Sequence, residues 1–172
     1  MSDRTTININ NIDNIVEVTF KEEFKELYYN MKKIYKLIKH IKYIPKHTFN
    51  NLTVTTPYCG ESLYSLSLED VTKIIIKNQV IDFVQEIYKA NIVHRDLHTK
   101  NICWDGNQIW VIDWELSSKC KINNIINHYD LTGTGMKSPY KSNKMNVFRK
   151  KYGKCLVNWL KPINISLKEF EL

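Results

Sequence analysis

Two short polar stretches decide the fold of this chain: His94-Arg95-Asp96-Leu97-His98-Thr99-Lys100-Asn101 and, a little further on, Ile112-Asp113-Trp114-Glu115. The first contains an acid and an amide, and the second contains two acids. A carboxylate such as Asp96 can accept the proton of a substrate hydroxyl, and the oxygens of Asn101 and Asp113 are the kind of ligand that Mg²⁺ prefers. Phosphoryl transfer requires these groups, provided that the chain brings them together.

The residues between the two stretches predict how they meet. Residues 102–104 and 109–112 are apolar and partly β-branched, and Asp105-Gly106-Asn107 between them supplies residues that tolerate positive φ. This pattern is typical of a β-hairpin. Because a hairpin returns the chain to its starting point, we expect Asp113 to lie beside the loop that holds Asp96.

At these residues the chain resembles the protein-kinase-like superfamily. His94-Arg95-Asp96-Leu97, followed by Asn101, matches the catalytic-loop signature H-R-D-L-x-x-x-N, and Asp113-Trp114-Glu115 stands where Asp-Phe-Gly is usual. The resemblance implies ATP and Mg²⁺ as cofactors. It makes Asp96, Asn101 and Asp113 the catalytic residues, with Asn101 and Asp113 as the metal ligands.

The implied fold is α+β, a protein-kinase-like bilobal fold with a reduced N-lobe and a truncated, mainly helical C-lobe. At 172 residues the chain is long enough for one domain with a real core. We expect residues 1–56 to form the reduced N-lobe, 57–61 the hinge, and 62–172 the C-lobe with its basic C-terminal segment.

The N-lobe departs from the family most clearly. Residues 1–15 predict a frayed start or one weak edge strand, and Val16 to Phe20 alternates like a strand. Lys21 then stands where the resemblance implies the lysine that holds the α and β phosphates. The first glycine of the chain is Gly60, so a Gly-rich phosphate loop cannot form upstream. We therefore expect an open cleft in which Mg²⁺ and Lys21 hold the phosphates.

A helical period of apolar residues runs from Glu22 to about Ile41, and Pro45 prevents its continuation. The resemblance makes this segment the kinase C helix, whose glutamate pairs with the phosphate-binding lysine. Glu26 or Glu23 would supply that glutamate. Acids at this end of a helix also complement the helix dipole, which is an alternative reason for their presence.

The following segment resembles the kinase hinge. Two short β runs predict a hairpin around Asn50-Asn51, and Thr56-Pro57-Tyr58-Cys59-Gly60-Glu61 comes directly after it. The resemblance implies that Thr56 is the gatekeeper and that the Pro57 carbonyl and the Cys59 backbone meet the adenine edge. It adds Cys103 to the nucleotide-binding residues.

A long helix is predicted next. Ser67-Leu68-Glu69-Asp70 is close to a capping box, and Ala90-Asn91 ends the pattern, since asparagine tolerates the left-handed conformation of a helix C-cap. The predicted buried residues are Val71, Ile74, Ile75, Asn78, Ile81, Val84, Ile87 and Tyr88. A buried helix that leads into His94-Arg95-Asp96 corresponds to the kinase E helix.

Beyond Glu115 two interpretations remain open. Asp130 with Gly135 resembles the start of the kinase F helix, whereas the segment 133–140 resembles the end of an activation loop. The basic residues within 137–154 predict a solvated basic helix at 147–159, or a surface for an acidic partner or nucleic acid.

Composition narrows the class of protein further. The net charge of +7 permits binding to acidic partners. The sequence contains no signal peptide and no apolar run long enough to span a bilayer. The four cysteines lack metal-type spacing, so we expect reduced thiols in an intracellular protein. Asn, Ile and Lys are abundant and Arg is scarce, which suggests an AT-rich genome such as that of a large DNA virus.

Three functions fit these observations. Arg95 favours a protein Ser/Thr kinase, whereas Leu97-His98 and Asp113-Trp114-Glu115 favour a small-molecule kinase similar to the aminoglycoside and choline phosphotransferases. The missing Gly-rich loop favours a pseudokinase that acts by binding a partner. We expect an active kinase with a protein substrate or an activating partner, because a protein that only binds needs neither Asp96 nor Asp113.

Overall fold

The computed structural model describes residues 4–119, apart from the side chains of Tyr88 and Val93. This part of the chain is α+β with antiparallel sheets, as the sequence predicts. Its helices are α1 (Lys25–Ile38) and α2 (Asp70–Lys89). Its strands are β1 (Thr5–Asn10), β2 (Ile15–Phe20), β3 (Thr48–Asn50), β4 (Thr53–Pro57), β5 (Glu61–Ser62), β6 (Ile92–Val93), β7 (Ile102–Trp104), β8 (Ile109–Val111) and β9 (Ser118–Lys119).

Strands β1 to β4 form one antiparallel sheet in the order β1-β2-β4-β3. β1 is one of its two edge strands, and an edge strand was one of the two alternatives that the sequence left open for this segment. The turn between β1 and β2 is held by Asn10, whose side-chain oxygen accepts a hydrogen bond from the backbone N–H of Ile12 at 3.0 Å. Asn14 then takes a left-handed φ of 52°, which asparagine tolerates. The sheet is compatible with a reduced kinase N-lobe.

Helix α1 packs against this sheet through residues three and four positions apart: Leu27, Tyr28, Met31, Ile34 and Ile38. The helix predicted over 22–41 is divided in the structure. Glu22–Phe24 form a tighter 3₁₀ turn, because the chain leaves β2 with Lys21 still extended. At the other end, backbone hydrogen bonds from Ile41 to Ile38 and from Ile44 to Ile41 replace the α-helix with turns before Pro45.

The loop after β4 is tied to the C-terminal half of the fold by a glycine. Gly60 has a φ of +82°, and a Cβ at this position would lie 2.0 Å from the carbonyl oxygen of Trp104. No residue with a side chain fits this approach without moving the backbone. Directly after it, β5 pairs with β7, with Glu61 opposite Trp104.

Helix α2 confirms the predicted long helix but buries a different face. It begins at Asp70 rather than after a Ser67 cap, and Asn91 beyond its end has the predicted left-handed φ, here 54°. The prediction that Val71, Ile74, Ile75 and Asn78 are buried is wrong, because all four are exposed, whereas Val84 and Ile87 are buried as predicted. The buried residues are Ile76, Val80, Phe83, Val84 and Ile87. Apolar residues of α2 lie on all sides of the helix, so their spacing alone could not predict which face is buried.

The hairpin predicted around Asp105-Gly106-Asn107 is present as β7 and β8. The Asp105 carboxylate accepts hydrogen bonds from the backbone N–H groups of Asn107 at 2.9 Å and Gln108 at 2.8 Å, which closes the turn. At the open end, the N–H of Ile112 donates to the carbonyl of Asn101 at 3.0 Å. The hairpin therefore brings the two stretches together, as expected.

Several sequence predictions fall outside the described residues. They are the two interpretations of 130–140, the basic segment 137–154 with its helix at 147–159, and the state of Cys120 and Cys155. Within 4–119, Cys59 and Cys103 are both unpaired thiols. In the same range, no helix combines the length and the apolar character that crossing a bilayer requires.

Among residues 4–119, Trp114 is the largest fully buried side chain, with 1% of its surface exposed. Its ring centroid lies 4.5 Å from that of His94 and 6.0 Å from that of Phe83 in α2. The indole N–H donates to the carbonyl of Val111 at 2.9 Å. The second polar stretch is therefore anchored in the core by its aromatic residue.

We predict that Trp114→Ala lowers the free energy of unfolding by about 3–5 kcal/mol, because it removes a large buried side chain and leaves a cavity. Urea denaturation measures the change. Trp110→Ala is the matched control: Trp110 is partly exposed and bonds only the Asp105 carboxylate at the turn, so its loss is smaller. Equal stability of the two variants would contradict the burial of Trp114.

Candidate active site

The first acidic loop, residues 94–101, is held in shape by hydrogen bonds between its two ends, from the side chain of Asn101 to Asp96. The Asn101 side-chain nitrogen donates to the carbonyl oxygen of Asp96 at 2.9 Å and lies 3.3 Å from its carboxylate oxygen Oδ2. Both acceptors are oxygens that can only accept here, so the amide nitrogen must face Asp96. The amide oxygen is consequently the atom that Asn101 presents to other groups.

Asp96 is held as a carboxylate by its neighbours. Burial alone would raise its pKa, but the His98 ring and the Asn101 amide hold the pKa of Asp96 below its ordinary value. Nδ1 of His98 accepts a hydrogen bond from the backbone N–H of Lys100 at 3.2 Å, and its Nε2 lies 3.5 Å from Asp96 Oδ1. The acid is thus ionised and available to accept a proton at neutral pH.

His94 connects this loop to the second acidic loop. Its Nε2–H donates to the carbonyl of Ile112 at 2.8 Å, and its Nδ1 accepts from the backbone N–H of Asp96 at 3.3 Å. These roles require a neutral ring with the proton on Nε2. Burial lowers the pKa of His94, so the ring stays neutral at physiological pH. Its own carbonyl accepts a hydrogen bond from the Ser117 hydroxyl at 3.0 Å.

Each acidic loop contains one strained residue. Arg95 has a φ of 73° and Asp113 a φ of 66°, both in the left-handed region that favours glycine. A residue with a side chain in this region costs on the order of 1–3 kcal/mol, and such strain is concentrated at functional sites. The surrounding hydrogen bonds of His94 hold both loops in place.

The second loop holds two acids in contact. Part of Asp113 is exposed to solvent, but its carboxyl group is enclosed by protein atoms. This carboxyl group shares a hydrogen bond with that of Glu115. Burial, followed by the charge and hydrogen bond of Glu115, raises the pKa of Asp113 to about 8. Glu115 is itself buried and forms an ion pair with Arg4, with 2.7 Å between Oε1 and Nη1. A cation beside Asp113 would relieve this concentration of negative charge.

A cavity of about 400 Å³ lies between the sheet and the two loops, within the size range of small-molecule sites. The predicted hinge residues Thr56, Pro57 and Cys59 line one part of it, with Cys103 beside them, and Asn101 and Asp113 line another. Its apolar walls come from Ile7, Val16, Val18, Phe20, Met31, Val54 and Ile112. The structure therefore brings most of the predicted site residues to one cavity.

The cavity wall at the predicted hinge contains the thiols of Cys59 and Cys103 and the hydroxyl of Thr56. Burial raises the pKa of Cys59 to about 12 and that of Cys103 to about 11, so both thiols are neutral and weakly nucleophilic. The Thr56 hydroxyl is buried, and in the described part of the chain only the weakly polar Cys59 thiol interacts with it. These side chains supply a mainly apolar wall with one hydroxyl available to a ligand.

Three of the predicted site residues do not line the cavity: Asp96, Lys21 and Glu26. Asp96 is half-buried, and Lys21 and Glu26 are exposed. Two cationic residues line it instead, namely Arg4, which sequence reasoning missed, and Lys100, whose Nζ lies 4.5 Å from the Tyr64 ring centroid. No motif marks Arg4. Its single signal in the sequence is that it is the first of very few arginines.

Comparison with known proteins gives the family. The sequence profile of the RIO domain matches residues 4–128, which is most of the chain. The chain belongs to the RIO domain family. This family is an atypical branch of the protein-kinase-like superfamily, so the resemblance read from the two acidic stretches is confirmed.

A relative of this RIO domain chain is the "Serine/threonine-protein kinase 1" of Lymantria dispar multicapsid nuclear polyhedrosis virus. The two sequences are 31% identical over 104 residues, which is 60% of this chain. The match covers 34% of the relative, so the chain spans about a third of the length of that protein.

We predict that Asp113→Asn stabilises the ligand-free chain at high pH. The folded pKa of about 8 lies above the ordinary value of 3.8. The protonated carboxyl therefore favours the folded chain at low pH, and this contribution is lost as the pH rises through about 8. Asparagine does not ionise, so at pH 9 the variant should melt at least about 2 °C above the wild type, the shift expected from roughly 1 kcal/mol.

Thermal melts from pH 5 to pH 9 measure this difference, and Asp70→Asn is the matched control, since the Asp70 side chain is 94% exposed on the surface of α2. The control should follow the wild type at every pH. If Asp113→Asn melts below the wild type at pH 9, the carboxyl is not held in the unfavourable environment described here.

Proposed function

We propose that this chain is an ATP- and Mg²⁺-dependent phosphotransferase, a protein Ser/Thr kinase that moves the γ-phosphoryl group to a hydroxyl. The observation that carries the proposal is the hydrogen bonding of Asn101 to Asp96 within one loop, together with the position of Asn101 and Asp113 on one cavity. Membership of the RIO domain family and the name of the viral relative support the same reaction class.

The acidic loops fit a magnesium ion. The Asn101 amide nitrogen is engaged by Asp96, which leaves the amide oxygen as the ligand atom, and the enclosed Asp113 carboxyl would be stabilised as an anion by a cation. Among the described residues, no group of three or more His, Cys, Asp and Glu side chains could hold a metal. A magnesium site does not need one, because Mg²⁺ keeps several waters and binds one or two carboxylates together with substrate phosphates.

Asp96 would orient the acceptor hydroxyl and take its proton. The role suits a group that is ionised at neutral pH and fixed by Asn101 and His98 on either side. Such general-base assistance contributes roughly 10²–10⁴ to a rate. Asn101 and Asp113 would hold Mg²⁺, which supplies neutralisation of the charge that builds on the phosphoryl oxygens.

The adenine would lie against the predicted hinge. Pro57 and Cys59 line the cavity there, and the Pro57 carbonyl accepts a hydrogen bond from the Cys59 thiol at 3.2 Å, which a ligand could replace. The Thr56 hydroxyl is a buried polar group with only the Cys59 thiol beside it. The rest of this wall is apolar, as a flat aromatic base requires. We place the N-lobe at 1–56, the hinge at 57–61 and a truncated C-lobe from 62 onward, within a single bilobal domain.

A second candidate is a small-molecule kinase. His98 follows Leu97 two positions after Asp96 and points its Nε2 at the Asp96 carboxylate, the arrangement that favoured this class in the sequence. The viral relative, named as a Ser/Thr kinase, favours the protein substrate. We further propose that the chain acts inside a cell and that an acidic partner or nucleic acid binds the basic segment 137–154.

We predict that the wild-type chain transfers label from γ-³²P ATP to protein hydroxyls in the presence of Mg²⁺, and that Asp96→Asn lowers the rate by at least about 10²-fold. Casein, histone and myelin basic protein serve as acceptors, with kanamycin and choline in parallel reactions. Asp70→Asn, an exposed acid outside the cavity, should retain the wild-type rate.

The reactions with protein acceptors and those with kanamycin or choline distinguish a protein kinase from a small-molecule kinase. Label confined to kanamycin or choline would replace the protein kinase proposal with the small-molecule one. If Mg-ATP stabilises the wild-type chain in a thermal melt but label reaches no acceptor, the chain is a nucleotide-binding pseudokinase. Equal rates for wild type and Asp96→Asn would remove Asp96 from the mechanism.

A further inference from the structure

Strand β2, which leads to the predicted phosphate-binding residue Lys21, presents an apolar face to the cavity. Side chains alternate along a strand, and Val16, Val18 and Phe20 are the residues of β2 that line the cavity. Lys21 follows Phe20 and so belongs to the opposite face, where it is exposed. The chain then enters the 3₁₀ turn Glu22–Phe24, and α1 adds no acid to the cavity lining.

Arg4 occupies the end of the cavity where a phosphate-binding cation is required. It precedes β1, and the backbone carbonyl of Arg4 accepts a hydrogen bond from the Lys21 N–H at 3.1 Å, so the two residues are neighbours on adjacent strands. Unlike Lys21, Arg4 lines the cavity. Its guanidinium lies 2.7 Å from Glu115, two positions after the proposed metal ligand Asp113.

The sheet register sets the direction of a bound nucleotide. At one end of β2, Ile15 pairs with Pro57 and Val16 with Thr56 of the predicted hinge, while the other end reaches Arg4. At roughly 3.3 Å per residue, about 16 Å separate Val16 from Lys21. A nucleotide with its base at Pro57 therefore directs its phosphates toward Arg4 and Asp113.

The Arg4–Glu115 ion pair has the properties of a prepared anion site. The Glu115 side chain is 8% exposed and that of Arg4 is 35% exposed, so one partner is anchored in protein and the other faces the cavity. A guanidinium carries its donors in a planar fork that matches both carboxylate and phosphate oxygens. Glu115 can thus fix the orientation of Arg4 as the C-helix glutamate fixes the lysine of a complete kinase.

We infer that Arg4, held by Glu115, binds the nucleotide phosphates of this chain in place of the Lys21–Glu26 pair. The inference rests on the proposed nucleotide-dependent function and names the residues that hold the phosphates. Arg4 is a binding residue, and Glu115 is a positioning residue that acts through it. The same pair joins the edge of the sheet to the Asp113 loop, so phosphate binding would draw these two parts together.

The test compares the binding of Mg-ATP and adenosine by isothermal titration calorimetry. Arg4→Ala should weaken Mg-ATP binding by about 10- to 100-fold, the loss expected for one charge-assisted contact, and leave adenosine binding within about twofold. Wild-type Mg-ATP affinity should fall with added salt, and Arg4→Ala should flatten that dependence because a screened charge contact has been removed. A merely structural ion pair would weaken both ligands together.

Further variants keep the test clear of misfolding. Arg4→Ala leaves the buried Glu115 without this partner, so a double variant, Arg4→Gln with Glu115→Gln, removes both charges and should show the same selective loss of Mg-ATP. Arg4→Lys retains the charge without the fork and should bind Mg-ATP with intermediate affinity. Lys39→Ala, an exposed cation beyond the end of α1, controls for net charge and should bind like the wild type.

Two outcomes overturn the inference in different ways. If Lys21→Ala loses Mg-ATP affinity while Arg4→Ala retains it, the phosphates are held by Lys21, and the proposed function stands without Arg4. If the wild-type chain binds neither Mg-ATP nor adenosine, the proposed function fails and the role of Arg4 fails with it.

Discussion

The buried ring of His94 joins the two acidic loops, and the geometry of the candidate site depends on it. One ring nitrogen donates to Ile112, directly before Asp113, and the other accepts from the backbone of Asp96. The ring face packs on Trp114. Because both nitrogens are used, the ring must be neutral, and its lowered pKa keeps it so. A single side chain thereby fixes the distance between the proposed base and the proposed metal ligand.

This arrangement also explains why the sequence predicted the C-terminal side of the site so well. Asp96, Asn101 and Asp113 lie close together in the sequence, and a two-stranded hairpin with a clear turn sequence connects their two loops. Local rules for turns and alternation were therefore sufficient to place Asp96, Asn101 and Asp113. The same rules placed the β3–β4 hairpin and the edge strand β1, since each depends on neighbours in sequence.

Predictions that depended on distant contacts were less successful. In α2 the apolar residues lie on all sides of the helix, and the buried face is the one that packs against β6 and β8. Ile76 and Val80 are therefore buried, while Val71 and Ile74 are exposed. The predicted Lys21–Glu26 pair required side chains from β2 and α1 to turn toward one cavity, and both are exposed. Arg4 reaches Glu115 across more than a hundred positions, a contact that no local pattern can signal.

The charges around Asp113 illustrate how a site of this kind opposes stability. Two buried acids in contact raise the pKa of Asp113 to about 8, and left-handed backbone at Asp113 adds strain. A cation bound at Asp113 would relieve the first of these costs, because it would stabilise the ionised carboxyl group. The core residues Trp114 and Phe83, whose rings pack edge to face beside the same loop, supply packing that offsets these costs.

The close approach of Gly60 to Trp104 restricts the movement of residues 57–61, which join the two halves of the fold. In a chain with a free linker at this point, the sheet could swing relative to the acidic loops about residues 57–61. Here the backbone at Gly60 touches the backbone of β7, and β5 continues as a partner of that strand. The cavity wall formed by residues 57–60 is thus attached to the β7–β8 hairpin. Any change in the width of the cavity would have to come from the sheet of β1 to β4 and not from a hinge at residues 57–61.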